Sequence, residues 1–100
     1  MNPDQRAENW RAARKGLQRA RALLPSNPTR ADAQGREVGS LAQYEEFLAH
    51  SELELALGEL ESLGELNEVP CEYWQHPLEV ALQLDLAERA TYYATKLDPT

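Results

Sequence analysis

The sequence predicts an all-helical fold: an antiparallel bundle of four helices, or five if the last segment breaks in two. Apolar residues recur at spacings of three and four along most of the chain. No stretch shows the strict apolar–polar alternation of a half-buried strand. Turn-forming residues separate the periodic segments, notably Pro25 with the polar run behind it and the Val69-Pro70 pair.

The first helix is expected over residues 3–24. Asn2 is a capping residue, Pro3 suits a first helical turn, and Asp4 favours the positive end of the helix dipole. Trp10, Ala13, Leu17, Ala20 and Leu24 then form one apolar stripe, while Arg11, Arg14, Lys15, Gln18 and Arg21 fall on another face. Pro25 stops the helix, because it lacks an N–H and clashes with the preceding turn. Residues 25–36 read as a loop, long for a helix–helix connection.

The second helix is expected over about 37–49, starting between Arg36 and Ser40, with Val38, Leu41, Tyr44, Phe47 and Leu48 on its buried side. The third is expected over 52–66. Ser51 followed by Glu54 has the capping-box spacing, in which each side chain satisfies the other residue's free N–H. Leu53, Ala56, Leu57, Leu60 and Leu63 make its stripe. Glu54, Glu61 and Glu65 line one border of that stripe, and Glu52 and Glu59 the other. The last segment covers 71–97, with a break near Asp85 left open. Trp74, Leu78, Ala81 and Leu82 make one apolar face, and Leu86, Ala90, Tyr93 and Leu97 a second. Pro77 is tolerated there if it falls in a first turn.

At 100 residues, one domain is the natural expectation. The content of 42% apolar and 27% charged residues is that of a globular chain, which argues against disorder. Cys71 is the only cysteine, so no internal disulfide forms, and a small core residue is its expected role. The opening Met1, Asn2, Pro3, Asp4 is polar, and no apolar run approaches a membrane span. A cytoplasmic location is the expectation.

Net charge is −7 and unevenly placed. Residues 1–36 hold eight Arg/Lys against three Asp/Glu, a balance of +5; residues 37–100 hold two against fourteen, a balance of −12. Either the basic helix lies beside acidic ones and compensates them, or the asymmetry steers a charged partner.

The motifs of catalysis are missing from the sequence. His50 and His76 have no ligand-like neighbour three or four residues away, and no second cysteine completes a zinc set. No glutamate stands three residues before either histidine, so the Glu-x-x-His pair of di-metal bundles is lacking. There is no phosphate loop and no nucleophile elbow. No cofactor, no metal and no enzymatic activity are expected. Arg11, Arg14, Lys15, Arg19 and Arg21 could meet phosphates. The acidic body and the lack of interleaved aromatics argue against nucleic acid. Membrane-surface binding is disfavoured too, since the apolar face of this helix is mostly alanine.

The stretch from Tyr44 to Leu60, YEEFLAHSELELALGEL, resembles the small bacterial immunity proteins of the Maf polymorphic-toxin type, in which a short helix leads into an apolar-acidic one after a similar His/Glu corner. Tyr73-Trp74 and the amphipathic segment behind them resemble that family's closing helices. The likeness covers about residues 41–97. It implies a non-catalytic protein that binds and blocks a cognate toxin. An acidic face would complement a basic toxin domain and speed encounter. The acids expected to carry this are Glu45, Glu46, Glu52, Glu54, Glu59 and Glu61. Partly exposed aromatics would supply the anchoring energy, with Tyr44, Tyr73, Trp74 and Tyr92 the candidates. The alternative is a helical adaptor or self-assembling module, built on the same amphipathic helices and forming homodimers or a peptide groove.

Overall fold

The computed structural model describes residues 3–26, 28, 34–36 and 39–97, with only the backbone of residues 3–5. The described residues form an all-α bundle of five helices: α1 (Pro3–Leu23), α2 (Leu41–Ala49), α3 (Leu53–Leu66), α4 (Gln75–Gln83) and α5 (Ala87–Leu97). A 3₁₀ turn, Cys71–Trp74, runs directly into α4. The described residues contain no strand. No described helix is long and apolar enough to cross a membrane. The expected cap Asn2, the side chain of Asp4, Val38, and residues 27 and 29–33 of the 25–36 segment lie outside the described residues.

Four of the five positions of the first stripe, Ala13, Leu17 and Ala20 of α1 and Leu24 just beyond it, are buried. They meet Leu53, Ala56, Leu57, Leu60 and Leu63 of α3, Val80 and Ala81 of α4, and Ala90 and Tyr93 of α5 in one core. Each fully buried leucine contributes about 1.5–3 kcal/mol of transfer free energy. Gly16 sets the spacing of α1 on α4, since a β-carbon there would stand 2.7 Å from a methyl of Val80. The fifth stripe residue, Trp10, is 46% exposed rather than buried. At 1.5 Å per residue α1 is about 32 Å long and α4 only about 14 Å, so the first turns of α1 overhang the helix it packs on.

The aromatic end of the core is built by the 3₁₀ turn. Tyr73 is fully buried, Trp74 is 6% exposed, and their rings meet edge to face with centroids 5.2 Å apart. The Tyr73 hydroxyl donates to the Leu60 carbonyl at 2.5 Å. Gly64 makes room for these rings: a β-carbon there would lie 2.5 Å from Cε1 of Tyr73.

Ser40 caps α2, its Oγ accepting from the Gln43 N–H at 3.3 Å, so the helix starts at Leu41 and not near 37. The expected capping box at Ser51 and Glu54 does not form. Ser51 has φ 58° and lies between the helices, while Glu52 takes the cap position without a side-chain bond. The reason is the shortness of the connection. Only His50, Ser51 and Glu52 join α2 to α3, and a reversal that tight needs a left-handed residue. The Glu52 N–H donates to the Phe47 carbonyl at 2.8 Å and the Ser51 N–H to that of Leu48 at 3.1 Å, which is the Schellman ending.

The last segment breaks at Asp85, φ 61°, by the same device. The Leu86 N–H donates to the Ala81 carbonyl at 2.8 Å and the Asp85 N–H to that of Leu82 at 3.2 Å. Pro77 is the third residue of α4, where its missing N–H costs no helical bond, and it is buried. Two expectations fail in this segment. Cys71 is exposed at the start of the 3₁₀ turn, ahead of the residues that reach the core. Leu82 is 64% exposed, because α4 buries the face of Pro77, Val80 and Ala81 and Leu82 lies on the other side of the helix.

Candidate protein-binding groove

Both left-handed corners open onto one groove of about 580 Å³. The N-terminal half of α1 supplies Arg6, Asn9 and Trp10 to its wall. The α2–α3 corner and the first turn of α3 supply Ser51 through Leu55. The α4–α5 corner supplies Gln83 through Leu86. Leu53 is buried, Leu84 and Leu86 are half-buried, and Trp10 and Leu55 stand 46% and 51% exposed. The charged lining is Arg6 against Glu52, Glu54 and Asp85, all exposed.

Two arginines hold the groove's frame. Arg14 of α1 donates to the Ser51 hydroxyl at 2.9 Å, pinning α1 to the first corner. Arg89 of α5 donates to the Glu54 carbonyl at 3.3 Å, pinning α5 to the first turn of α3. The α2–α3 corner and the turn behind it are thereby held from two sides by side chains that cross between helices.

The expected site residues separate into two groups. Glu45 and Glu46 on α2, and Glu52 and Glu54 at the α3 start, are exposed, and their carboxylates make no hydrogen bond or ion pair among the described residues. Glu59 and Glu61 are half-buried and engaged. Glu59 Oε2 accepts from the Ser40 N–H at 3.1 Å, and Glu61 Oε1 accepts from the Tyr93 hydroxyl at 2.7 Å. Both acids border the apolar stripe of α3, where neighbouring elements offer them donors, so they are not free to meet a partner.

The expected aromatic anchors Tyr44, Tyr73 and Trp74 are buried, 2%, 0% and 6% exposed. Burial pushes the Tyr44 hydroxyl up to about 12, and nearby Arg21 only partly offsets this. Burial also raises the Tyr73 hydroxyl. Tyr93 is raised by burial first and by its bond to Glu61 second. Tyr92 is exposed, but its hydroxyl donates to Glu65, and that bond raises it. Lys96 completes this edge, 3.8 Å from Glu65 and 5.3 Å and 5.2 Å from the Trp74 and Tyr92 ring centroids.

The exposed anchors are instead Trp10 and Leu55. Trp10 was hidden by its perfect place in the α1 stripe. Leu55 carried a signal: it falls between Glu54 and Ala56 outside the stripe of α3, with no other helix period to bury it.

Arg11, Lys15 and Arg19 form an exposed basic row on α1. Among the described residues no ion pair joins α1 to the acidic helices. Among the described residues no group of three or more His, Cys, Asp or Glu side chains is arranged to hold a metal ion.

No family model, curated protein or solved structure matches the chain.

Proposed function

We propose that the chain is a non-catalytic binding protein that captures and neutralises a basic protein partner, as an immunity-type inhibitor of a bacterial toxin does. The observation that supports this is the surface on which Glu52 and Glu54 rise beside exposed Trp10 and Leu55, with Glu45 and Glu46 extending the acidic side along α2. Exposed carboxylates steer encounter with a basic patch, and large apolar side chains beside them supply affinity. A site of catalysis, a metal and nucleic acid have no part in this reading.

The test is capture of the partner at low salt from the cell that makes the protein, followed by its association rate and its toxicity when expressed alone. The reading requires a one-to-one complex, association that slows with salt, and rescue of growth by co-expression. A partner whose activity is untouched by binding would reduce the protein to an adaptor. Exposed Leu82 favours a second reading, a self-assembling module. Sedimentation showing a monomer at high concentration would remove it.

A further inference from the structure

We infer that the groove between the two left-handed corners receives a basic peptide segment of the partner, one with two or more large apolar side chains set among lysines or arginines. This rests on the protein-binding reading above and names the chemistry of what that site takes.

A cavity of about 580 Å³ lies within the ~300–1,000 Å³ range of sites that engulf a ligand. Its buried and half-buried leucines, Leu53, Leu84 and Leu86, give it an apolar floor, and Trp10 and Leu55 flank that floor while still half in water. Apolar side chains of an incoming segment would therefore be covered from three elements at once.

Charge chooses the occupant. Glu52, Glu54 and Asp85 outnumber Arg6 around the floor, so a segment bearing cations is attracted and an acidic one repelled. Docked through Leu82, its other exposed and unbonded large apolar side chain, a second copy of this chain would bring Glu79 and Asp85 to an acidic rim.

Rigidity favours a preformed site. Each corner closes with two backbone hydrogen bonds, and Arg14 and Arg89 tie the α2–α3 corner and the first turn of α3 to α1 and α5. Little ordering is left to be done on binding.

The experiment is selection of a random 12-residue peptide library, displayed on phage, against the immobilised full chain. The best peptides are then labelled and titrated against the chain and against Leu55→Asp and Glu52→Lys/Glu54→Lys. These positions are exposed, so the variants fold, which circular dichroism and thermal melting verify. The expected result is enrichment of peptides with net positive charge and at least two large apolar residues, bound ten-fold or more weaker by each variant. Recovery of neutral or acidic peptides, no enrichment, or binding unchanged in Leu55→Asp would overturn the inference. So would a dimer in sedimentation that Leu55→Asp dissolves, since the groove would then be filled by a second copy. Failure here leaves the inhibitor reading to its own test, because capture and growth rescue are read on the whole partner. Conversely, selected peptides without any growth rescue would keep the groove and remove the inhibition.

Discussion

Ser51 and Asp85 occupy the same position in two copies of one helix-ending motif. Each has a left-handed backbone, φ 58° and 61°, and each is followed by a residue whose N–H reaches back five positions. That residue, Glu52 or Leu86, also starts the next helix, its carbonyl accepting from the N–H of Ala56 or Ala90 at 3.0 Å. One residue thus ends a helix and begins another, which is how two reversals fit into so few residues and face the same groove.

A left-handed conformation is strained for side chains and free for glycine. Asp85→Gly is expected to stabilise the fold by roughly 0.5–1 kcal/mol, and Asp85→Val to destabilise it by more than about 1 kcal/mol. Urea denaturation of the pair measures both. Loss of stability in the glycine variant would show that the corner is held by something other than backbone geometry.

Two glycines of α3 should respond in opposite directions to alanine. At Gly64 the added methyl meets the buried Tyr73 and Trp74 rings, at 2.5 Å and 3.1 Å, and rings so enclosed have nowhere to move. Gly64→Ala is expected to cost about 1–3 kcal/mol net, exceeding its helix-propensity gain of about 1 kcal/mol. At Gly58 the nearest atom is the Arg89 guanidinium at 3.7 Å, ordinary contact. Gly58→Ala is expected to raise stability by up to about 1 kcal/mol. Thermal melts of the two variants give the comparison.

The buried tyrosines predict an alkaline limit. Tyr44, Tyr73 and Tyr93 are raised in the folded protein, chiefly by burial, above the ordinary 10 of the unfolded chain. Above pH 10 the unfolded state therefore loses protons that the folded state keeps, so stability falls with pH. The contribution is complete below pH 10, and for Tyr44 it is lost by about pH 12. Each tyrosine steepens the fall by up to about 1.4 kcal/mol per pH unit. Urea midpoints from pH 8 to 12 should decline beyond pH 10, less steeply in Tyr44→Phe.

Glutamates at the start of α3 and within it should separate by role. Glu61→Gln weakens the acceptor of the Tyr93 hydroxyl and is expected to lower stability by about 0.5–1.5 kcal/mol. Glu52→Gln and Glu54→Gln lie on the exposed rim and should move stability by less than about 0.5 kcal/mol. Denaturation curves of the three variants decide it.

Helical periodicity carried the architecture because it reports which face each helix buries. The stripe of α3 is buried at Leu53, Ala56, Leu57, Leu60 and Leu63, where the spacing of three and four puts it. The corner at Ser51 was not legible, because serine there reads as a helix starter and only tertiary closure forces it left-handed, whereas a break near Asp85 was one of the two readings the sequence left open. The groove was legible in part. Glu52 and Glu54 stand on it, but Tyr73 and Trp74 do not, since an aromatic pair in a short turn fills a core as readily as it serves an interface. Trp10 was misread for a reason of length. Periodicity gives the direction of a side chain and not how far the neighbouring helix extends.

The most direct test of the account is the association rate of the captured partner with the native chain and with a variant in which Glu45, Glu46, Glu52 and Glu54 are all glutamine, measured from low to high salt. The account predicts a slower variant at low salt, a steep fall in rate with salt for the native chain, and convergence of the two at high salt. Equal rates for both proteins, flat across salt, would contradict it.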